Sequence, residues 1–267
     1  MGIHRRQVVT GALLAAGGAA AGAALVAPRW PLGPDRLPIS GGYAPAGVAR
    51  VWSARGEVPV VWHVSTTEPL VALTFDDGPG PRWTPMVLDI LDRAAAPATF
   101  MMVGERLTRY ADLLRGRLGR HEVGNHTWAH RDLAELDEAG VRDQLERADE
   151  AIRRLLGRTP TLMRPPWGHL GGSTLTVADE FGYDVVMWSQ QMREEMFQHD
   201  PPAQVTDIVD NARRGSIVLA HDVGADTRLV ALRQLGAMID GLRGRGFRLV
   251  TVSELLAAAT PPSTPRL

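Results

Sequence analysis

The sequence predicts a parallel α/β barrel, or an incomplete one, in a single domain over residues 58–256. Short β-branched or apolar segments alternate with amphipathic helical segments along these residues, and Gly157 and Gly182 end two of the helical segments. In addition, the chemically informative polar residues follow predicted strands. Alternating strands and helices form a parallel sheet covered by helices, and a long series of such units favours a barrel.

The predicted elements follow one another with short connections. Strands are expected where short apolar, β-branched runs are bounded by Pro, Thr or Gly: 58–64, 70–75, 98–103, 122–125, 162–164, 185–188, 217–220 and 247–250. Helices are expected where apolar residues recur with a helical period: 84–91, 107–118, 138–156, 173–181, 202–212, 229–243 and a short helix from 253. Thr84 is the predicted N-cap of the first helix, with Pro85 in its first turn.

The segments that flank this domain have a different composition. Residues 1–27 combine a basic start with an uncharged Ala- and Gly-rich run, which predicts an export signal, and Arg5-Arg6 favours the twin-arginine type over the Sec type. An uncleaved membrane anchor is the alternative. Residues 28–57 are a predicted Pro/Gly-rich linker, and 257–267 a Pro-rich tail. We expect a secreted, cell-wall or membrane-anchored protein on the outer side of the cytoplasmic membrane.

The composition excludes several classes of function. The 29 Lys+Arg residues are all arginines, so Schiff-base chemistry and P-loop phosphate binding are excluded. The sequence has no Cys, so any metal must be held by His and carboxylate side chains. A net charge of -1 disfavours nucleic acid as a partner. We expect a monomer that meets the membrane only through an uncleaved N-terminal segment.

Two histidines and two aspartates form a candidate metal site. His126 and His130 are four residues apart, which on one helical turn would bring both imidazoles to a single metal ion. Asp76 and Asp77 follow an apolar strand, where two ionised neighbours repel each other unless a cation is close. One carboxylate on the metal and one acting as a base would remove this repulsion. A turn is the alternative explanation for the Asp-Gly-Pro run that follows.

Four motifs, in this order, resemble those of the NodB-type polysaccharide deacetylases, carbohydrate esterase family 4. They are residues 74–79 (TFDDGP), 126–130 (HTWAH), 163–168 (MRPPWG) and 217–222 (IVLAHD). The likeness extends through the connecting segments and covers about residues 58–256. It implies a distorted (β/α) barrel that removes acetyl groups from a glycan with a divalent metal, usually Zn²⁺, with Co²⁺ or another divalent ion as the alternative.

The resemblance also implies a role for each matching residue. The metal ligands would be Asp77, His126 and His130, and Asp76 would be the general base that takes a proton from the attacking water. Two further roles concern the base and the leaving group: Arg164 would orient Asp76, and His221 would protonate the departing sugar amine or alcohol. The acetyl pocket and oxyanion site would be formed by Trp167, Leu219 and Pro166, with the N–H of Trp167 as donor because prolines have none.

One motif departs from the family pattern. Gln191 stands where the family frequently has an Asp that pairs with the acid histidine, and Glu194 is the nearest substitute. The sequence therefore predicts an exported deacetylase of an N-acetylated glycan, either peptidoglycan or a chitin-like polymer. An O-acetyl xylan esterase and a catalytically silent glycan-binding relative are the alternatives. His169 is a candidate for the sugar groove, whereas the remaining histidines are expected to be solvated or packing residues: His63, His121 and His199.

Overall fold

The structure is a computed structural model and describes residues 36–39, 42–45 and 58–260. Its strands are β1 (Arg36–Ile39), β2 (Gly42–Pro45), β3 (Val60–Val61), β4 (Leu70–Asp76), β5 (Thr99–Met102), β6 (Glu122–Asn125), β7 (Leu162–Met163), β8 (Asp184–Val186), β9 (Gln190–Gln191), β10 (Ser216–His221) and β11 (Arg248–Val250). Its α-helices are α1 (Trp83–Arg93), α2 (Gly104–Tyr110), α3 (Glu138–Leu156), α4 (Gly172–Phe181), α5 (Pro201–Asn211), α6 (Asp226–Leu229), α7 (Leu235–Gly244) and α8 (Val252–Ala257). Short 3-10 turns lie at Ala111–Leu114, Leu133–Glu135, Pro166–Gly168 and Val230–Gln234.

The main sheet is parallel and curls into an incomplete barrel. Its strand order is β3-β8-β7-β6-β5-β4-β10-β9, and β11 pairs with β4 beside β5. Past the end of β8, the N–H of Ser189 donates to the carbonyl of Ile217 in β10 (3.1 Å), so the two sides of the curl meet there. Strands β1 and β2 form a separate two-stranded sheet. The predicted incomplete (β/α) barrel is confirmed.

Strand β4 shows how the sequence builds both faces of the barrel wall. Side chains alternate along a strand, and Val71, Leu73 and Phe75 belong to the core that packs against the helices. Leu70 and Ala72 belong to a second apolar cluster with residues of the neighbouring strands. Further along this second face the residues are polar, Thr74 and then Asp76. On β4 this face is therefore apolar toward the amino end and polar toward the carboxyl end.

Strand β10 repeats this arrangement next to β4. Val218 and Ala220 pack with the helices, whereas Ile217 joins the interior cluster. The register places His221 opposite Asp76, and the hydroxyl of Thr74 donates to the carbonyl of Val218 (2.8 Å). Because all the strands run in parallel, the residues that follow them meet at one end of the barrel.

Several helix predictions are confirmed, and others are corrected. Helix α3 ends at Gly157 and α4 ends at Gly182, both with the positive φ that favours glycine (64° and 69°). Thr84, however, is not an N-cap: α1 begins at Trp83, and the Thr84 hydroxyl lies inside the fold, where it bonds to Asp222. Tertiary hydrogen bonding therefore replaces the local capping that the sequence predicted.

Other predicted segments differ in extent. Residues 126–130 lie in a loop rather than a helical turn, because Thr127 and His130 have positive φ values (70° and 52°). The predicted helix 229–243 is divided into a 3-10 turn and α7, and residues 107–118 form the end of α2 followed by a 3-10 turn. The predicted strands 58–64 and 162–164 are shortened to β3 and β7, and the strand predicted at 185–188 is β8, which begins one residue earlier and ends at Val186, because only these residues pair with neighbouring strands.

The flanking segments are described only in part. Strands β1 and β2 fall within the predicted linker, whereas the predicted export signal and most of the Pro-rich tail lie outside the described residues. Within the described parts, every helix is too short or too polar to cross a bilayer.

Candidate active site

Arg164 and Asp76 form a buried ion pair at the carboxyl end of the barrel. Arg164 follows β7 and is 0% exposed, and its Nη1 donates to Asp76 Oδ1 at 2.6 Å. The same guanidinium donates to Thr74 Oγ1 and to the carbonyls of Val186 and Met187, at 2.8–2.9 Å. Asp76 is 4% exposed. An arginine held by this many bonds fixes the carboxylate in one orientation.

Asp77, His126 and His130 form a cluster that could hold one metal ion. One potential ligand atom of each lies within 4.8 Å of the others. Asp77 Oδ1 is 3.0 Å from His130 Nε2 and 3.5 Å from His126 Nε2. The ring of His126 is oriented through its other nitrogen, Nδ1, which donates to the carbonyl of Arg164 at 2.7 Å. Such a bond leaves Nε2 available as a ligand and fixes the tautomer that a metal requires.

The donor set of this cluster fits a divalent transition metal. Two imidazoles and one carboxylate leave coordination positions for water and substrate, as a catalytic zinc site requires. Among the described residues, Asp77 Oδ1 is buried and accepts no hydrogen bond of normal geometry. Burial opposes ionisation of Asp77, but the imidazoles of His126 and His130 outweigh it and hold the pKa of this carboxyl well below its usual range. Asp77 is therefore ionised at neutral pH, the form in which a carboxylate can bind a metal ion.

Asn125 holds the loop that carries the two histidines. Its Oδ1 accepts from the N–H of Thr127 (2.9 Å), and its Nδ2 donates to the carbonyl of Leu145 and to the hydroxyl of Tyr183. The Tyr183 hydroxyl in turn donates to Asp149 of α3 (2.9 Å). These bonds connect the loop after β6 to two neighbouring elements, which explains how Thr127 keeps its positive φ.

His221 is paired with Glu194, the residue that the sequence offers in place of the family's Asp. Its Nδ1 lies 3.0 Å from Glu194 Oε1, and its backbone N–H donates to the same oxygen (3.1 Å). Glu194 is buried. Burial disfavours the imidazolium, but Glu194 and the more distant Asp76 outweigh this effect, so the pKa of His221 is raised. Gln191 lies on the cavity wall without the charge that the family's Asp would supply.

The turn that follows Arg164 presents Trp167 to solvent. Trp167 has a positive φ of 56°, is 58% exposed, and its ring lies 4.4 Å from that of His130. The N–H groups of Gly168 and His169 donate to the carbonyls of the two preceding prolines, so the N–H of Trp167 is the one that these turn bonds do not use. Pro166, which begins the turn, is buried and lies outside the cavity lining, so its expected place in the acetyl pocket is not seen.

These side chains surround one cavity of about 290 Å³. Its lining residues are Asp76, Asp77, His126, His130, Trp167, Trp188, Gln191, Leu219 and His221. The cavity thus unites residues from five predicted strand ends, including Leu219 of β10. Two of the three expected pocket residues, Trp167 and Leu219, share this space with the expected metal ligands, whereas Pro166 does not line it.

The remaining histidines lie elsewhere. The exposed His63 bonds to the carbonyl of Arg214, and His199 is also exposed. His121 is buried beside Phe100 at the opposite end of β6. His169 lies next to Trp167, with its Nδ1 2.7 Å from Asp132 Oδ2, but it is not part of the cavity lining.

Three residues of the site were not predicted from the sequence. Trp188 lines the cavity after β8, a position that the rule of strand ends alone would have indicated. Asn125 and Asp222 flank predicted site residues, but their bonds go to distant elements. No local pattern reveals such bonds.

Sequence comparisons identify the relatives of this chain. Residues 63–186 match the family model for polysaccharide deacetylase. The peptidoglycan-N-acetylglucosamine deacetylase of Bacillus cereus is 37% identical over 199 residues, which are 74% of this chain and 92% of that protein. The chitooligosaccharide deacetylase of a Bradyrhizobium species is 34% identical over 197 residues, 69% of this chain and 90% of that protein.

Solved structures share the fold. A peptidoglycan N-acetylglucosamine deacetylase in complex with a hydroxybenzamide compound superposes with a TM-score of 0.70 at 28% identity, covering 74% of this chain and 92% of the other. The esterase family 4 domain of a multidomain xylanase from a termite hindgut metagenome gives a TM-score of 0.64 at 27% identity, covering 72% and 91%. The predictions of the fold type and of a hydrolase that acts on non-peptide carbon–nitrogen bonds are confirmed by this kinship. The chain belongs to the NodB-type polysaccharide deacetylases of carbohydrate esterase family 4.

Proposed function

We propose that this protein is an exported, divalent-metal-dependent deacetylase that hydrolyses the N-acetyl groups of peptidoglycan. The observation that carries the proposal is the Arg164-bound Asp76 next to the cluster of Asp77, His126 and His130. Relatives named as peptidoglycan deacetylases support the substrate, as does the expected export of the chain to the side where peptidoglycan lies. Chitin-like glycans are the second candidate, supported by relatives with those names.

Deacetylases of this family are metal-dependent in general, and the Asp-His-His cluster is where the ion would bind. We propose Zn²⁺, because two imidazoles and one carboxylate are a common catalytic zinc set. The same donors also accept Co²⁺ and other divalent ions. When bound, the ion would lower the pKa of a coordinated water and polarise the acetyl carbonyl.

The residues of the chain would supply the proton transfers. Asp76, oriented by Arg164, accepts the proton of the water as its oxygen adds to the acetyl carbon. The N–H of Trp167 donates to the oxyanion that forms on the acetyl group. His221 then donates a proton to the sugar nitrogen as the carbon–nitrogen bond breaks, which releases acetate and a free amine. Glu194 stabilises the imidazolium that His221 needs for this step.

The cavity favours a small acyl group. Leu219 is the apolar residue of β10 that faces it, between the buried interior and His221. Trp167 lies at its exposed side, where the indole would contact a sugar ring. We therefore assign the acetyl methyl group to the Leu219 side and the glycan chain to the Trp167 side.

Acetate release from a panel of glycans tests the proposal. Purified protein is incubated with peptidoglycan, chitooligosaccharides and acetylated xylan, with and without a chelator and with Zn²⁺ added back, and Asp76→Asn serves as the inactive control. We expect chelator-sensitive release from peptidoglycan. Release from xylan alone would establish the O-acetyl esterase alternative. No release from any glycan by the metal-loaded protein would contradict the proposal and favour a silent glycan-binding relative.

A further inference from the structure

Asp222 is a buried carboxyl group that the reaction described above does not use. It follows His221 directly and is 0% exposed. Its Oδ2 accepts from the hydroxyl of Thr84 at 2.5 Å, and its backbone N–H donates to the carbonyl of Asp76 (3.3 Å). The hydrogen bonds and ion pairs of the described residues include no cationic partner for it, and its Oδ1 has no hydrogen-bond partner among them. A group buried in this way needs a structural reason.

The carboxyl group of Asp222 lies directly against the turn that carries Asp77. A Cβ atom added to Gly78 would lie only 2.5 Å from Asp222 Oδ1 and 2.6 Å from Oδ2. The Asp222 carboxyl group therefore occupies the space that a side chain at position 78 would need, and only a glycine fits there. Any larger residue at 78 would displace either Asp222 or the turn.

A second connection runs through Thr84. Its Oγ1 donates to Asp222 and accepts from the N–H of Gly80 (2.7 Å). Asp222 thus contacts the turn at Gly78 and, through Thr84, at Gly80. These two points follow Asp77 by one and three residues. Asp77 itself has a positive φ of 75°, a conformation that an aspartate keeps only when its surroundings enforce it.

The geometry points to Asp222 and Thr84 as positioning residues that hold the turn of residues 77–80 so that the Asp77 carboxylate is aimed at the metal position. This inference rests on the proposed metal site and adds to it a support that touches neither metal nor substrate. Residues of this kind typically change metal affinity about 10- to 100-fold when they are removed.

We expect Asp222 to support the turn through its shape and its hydrogen bond, and not through a negative charge. Burial raises the pKa of the Asp222 carboxyl to about 7, so its neutral form is accessible near neutral pH. An asparagine has nearly the same shape and retains an oxygen that accepts from Thr84. Asp222→Asn should therefore preserve the support, whereas Asp222→Ala should remove it.

The test is the dissociation constant for Zn²⁺ alone, measured on the full chain by competition with a chromogenic chelator. We expect Asp222→Ala and Thr84→Val to weaken Zn²⁺ binding about 10-fold or more. Asp222→Asn and Thr84→Ser should bind within about 3-fold of the wild type. If Asp222→Ala fails to fold, the comparison of Thr84→Val with Thr84→Ser tests the inference instead.

Thr99→Val is the matched control. Thr99 is also a buried threonine whose hydroxyl makes two bonds, to Glu122 Oε2 and from the N–H of Val252, but it begins β5, and neither of these bonds reaches the turn of residues 77–80. It should lower the Tm about as much as Thr84→Val and leave Zn²⁺ affinity unchanged. Equal weakening by Thr99→Val, or unchanged affinity in Thr84→Val, would overturn the inference. A wild-type protein that does not bind Zn²⁺ would overturn the metal site as well, so the two failures are distinguishable.

Discussion

Asp76 combines two properties that a general base needs. It is fixed by Arg164 at 2.6 Å, and its other oxygen lies toward the histidine cluster, 3.7 Å from His126 Nε2. Because Asp77, and not Asp76, is the proposed ligand, the two neighbouring carboxylates have separable effects on metal and on turnover.

We predict that Asp76→Asn retains the metal and loses at least about 100-fold in kcat, because the amide cannot accept the proton. Bound metal and acetate release are measured on the same preparation. Asp77→Ala and His126→Ala should lose both properties, and the exposed Asp179→Asn should lose neither. An Asp76→Asn enzyme with normal turnover would contradict the assignment of the base.

The pairing of Glu194 with His221 predicts a shift in pH dependence. The imidazolium donates the proton, so activity is lost as pH rises through the pKa of His221, which Glu194 raises. In Glu194→Gln this pKa falls, and the alkaline limb of kcat/KM should move to lower pH. The exposed neighbour is the control: Glu195→Gln should keep the wild-type profile. Coincident profiles of the two variants would show that Glu194 does not act on His221.

At the scale of elements, the loop after β6 depends on Asn125. We predict that Asn125→Ala lowers the free energy of unfolding by about 2–3 kcal/mol, since it leaves the N–H of Thr127, the carbonyl of Leu145 and the hydroxyl of Tyr183 without this partner. Urea denaturation measures the change. Asn211→Ala, which removes an exposed amide at the end of α5, should cost less than about 0.5 kcal/mol. Equal losses of unfolding free energy in the two variants would contradict the stabilising role of the Asn125 hydrogen bonds.

The elements also show how far local patterns determine structure. Buried strands such as β4 and β10, and the glycine ends of α3 and α4, were predictable because hydrophobic alternation and positive φ are encoded locally. The grouping of the candidate site residues around one cavity was predictable where they follow strands or match motifs, and their roles stay predictions. The cap at Thr84 was wrong because its hydroxyl bonds to Asp222, which is distant in sequence. The helical turn at 126–130 was wrong because the neighbouring Asn125 accepts from the N–H of Thr127 and is itself held by the distant Leu145 and Tyr183.

At the scale of the whole molecule, the burial of His121 predicts that the protein loses stability as the pH falls. It is buried, neither ring nitrogen has a partner among the described residues, and burial lowers its pKa from 6.5 to about 4. Between these values the unfolded chain binds more protons than the folded one, so the stability contribution falls as pH drops from about 6.5 toward 4.

The corresponding variant is His121→Phe, which keeps a ring beside Phe100 and removes the titration. Its loss of stability between pH 7 and pH 5, measured by urea denaturation, should be smaller than that of the wild type by about 1–2 kcal/mol. His199→Phe, at an exposed position, is the control and should not change the difference. A wild-type-like pH dependence in His121→Phe would contradict the prediction.

Export of the whole chain is a separate prediction. We expect replacement of both Arg5 and Arg6 by lysine to block secretion, because the twin-arginine route requires the arginine pair. Immunodetection in the culture medium and in the cell measures the distribution, with Arg29→Lys as the control outside the pair. Unchanged secretion of the double variant would indicate another route.

The guanidinium of Arg164 bonds both to the barrel wall and to the proposed base. The bonds to Val186 and Met187 hold the end of β8, and the bond to Asp76 orients the proposed base. We therefore expect a substitution of Arg164 to alter folding and turnover together. A protein with this barrel but without catalysis would still need the bonds of this arginine to Val186 and Met187. An arginine at this position in a distant relative would therefore indicate the same barrel wall, and would not by itself indicate activity.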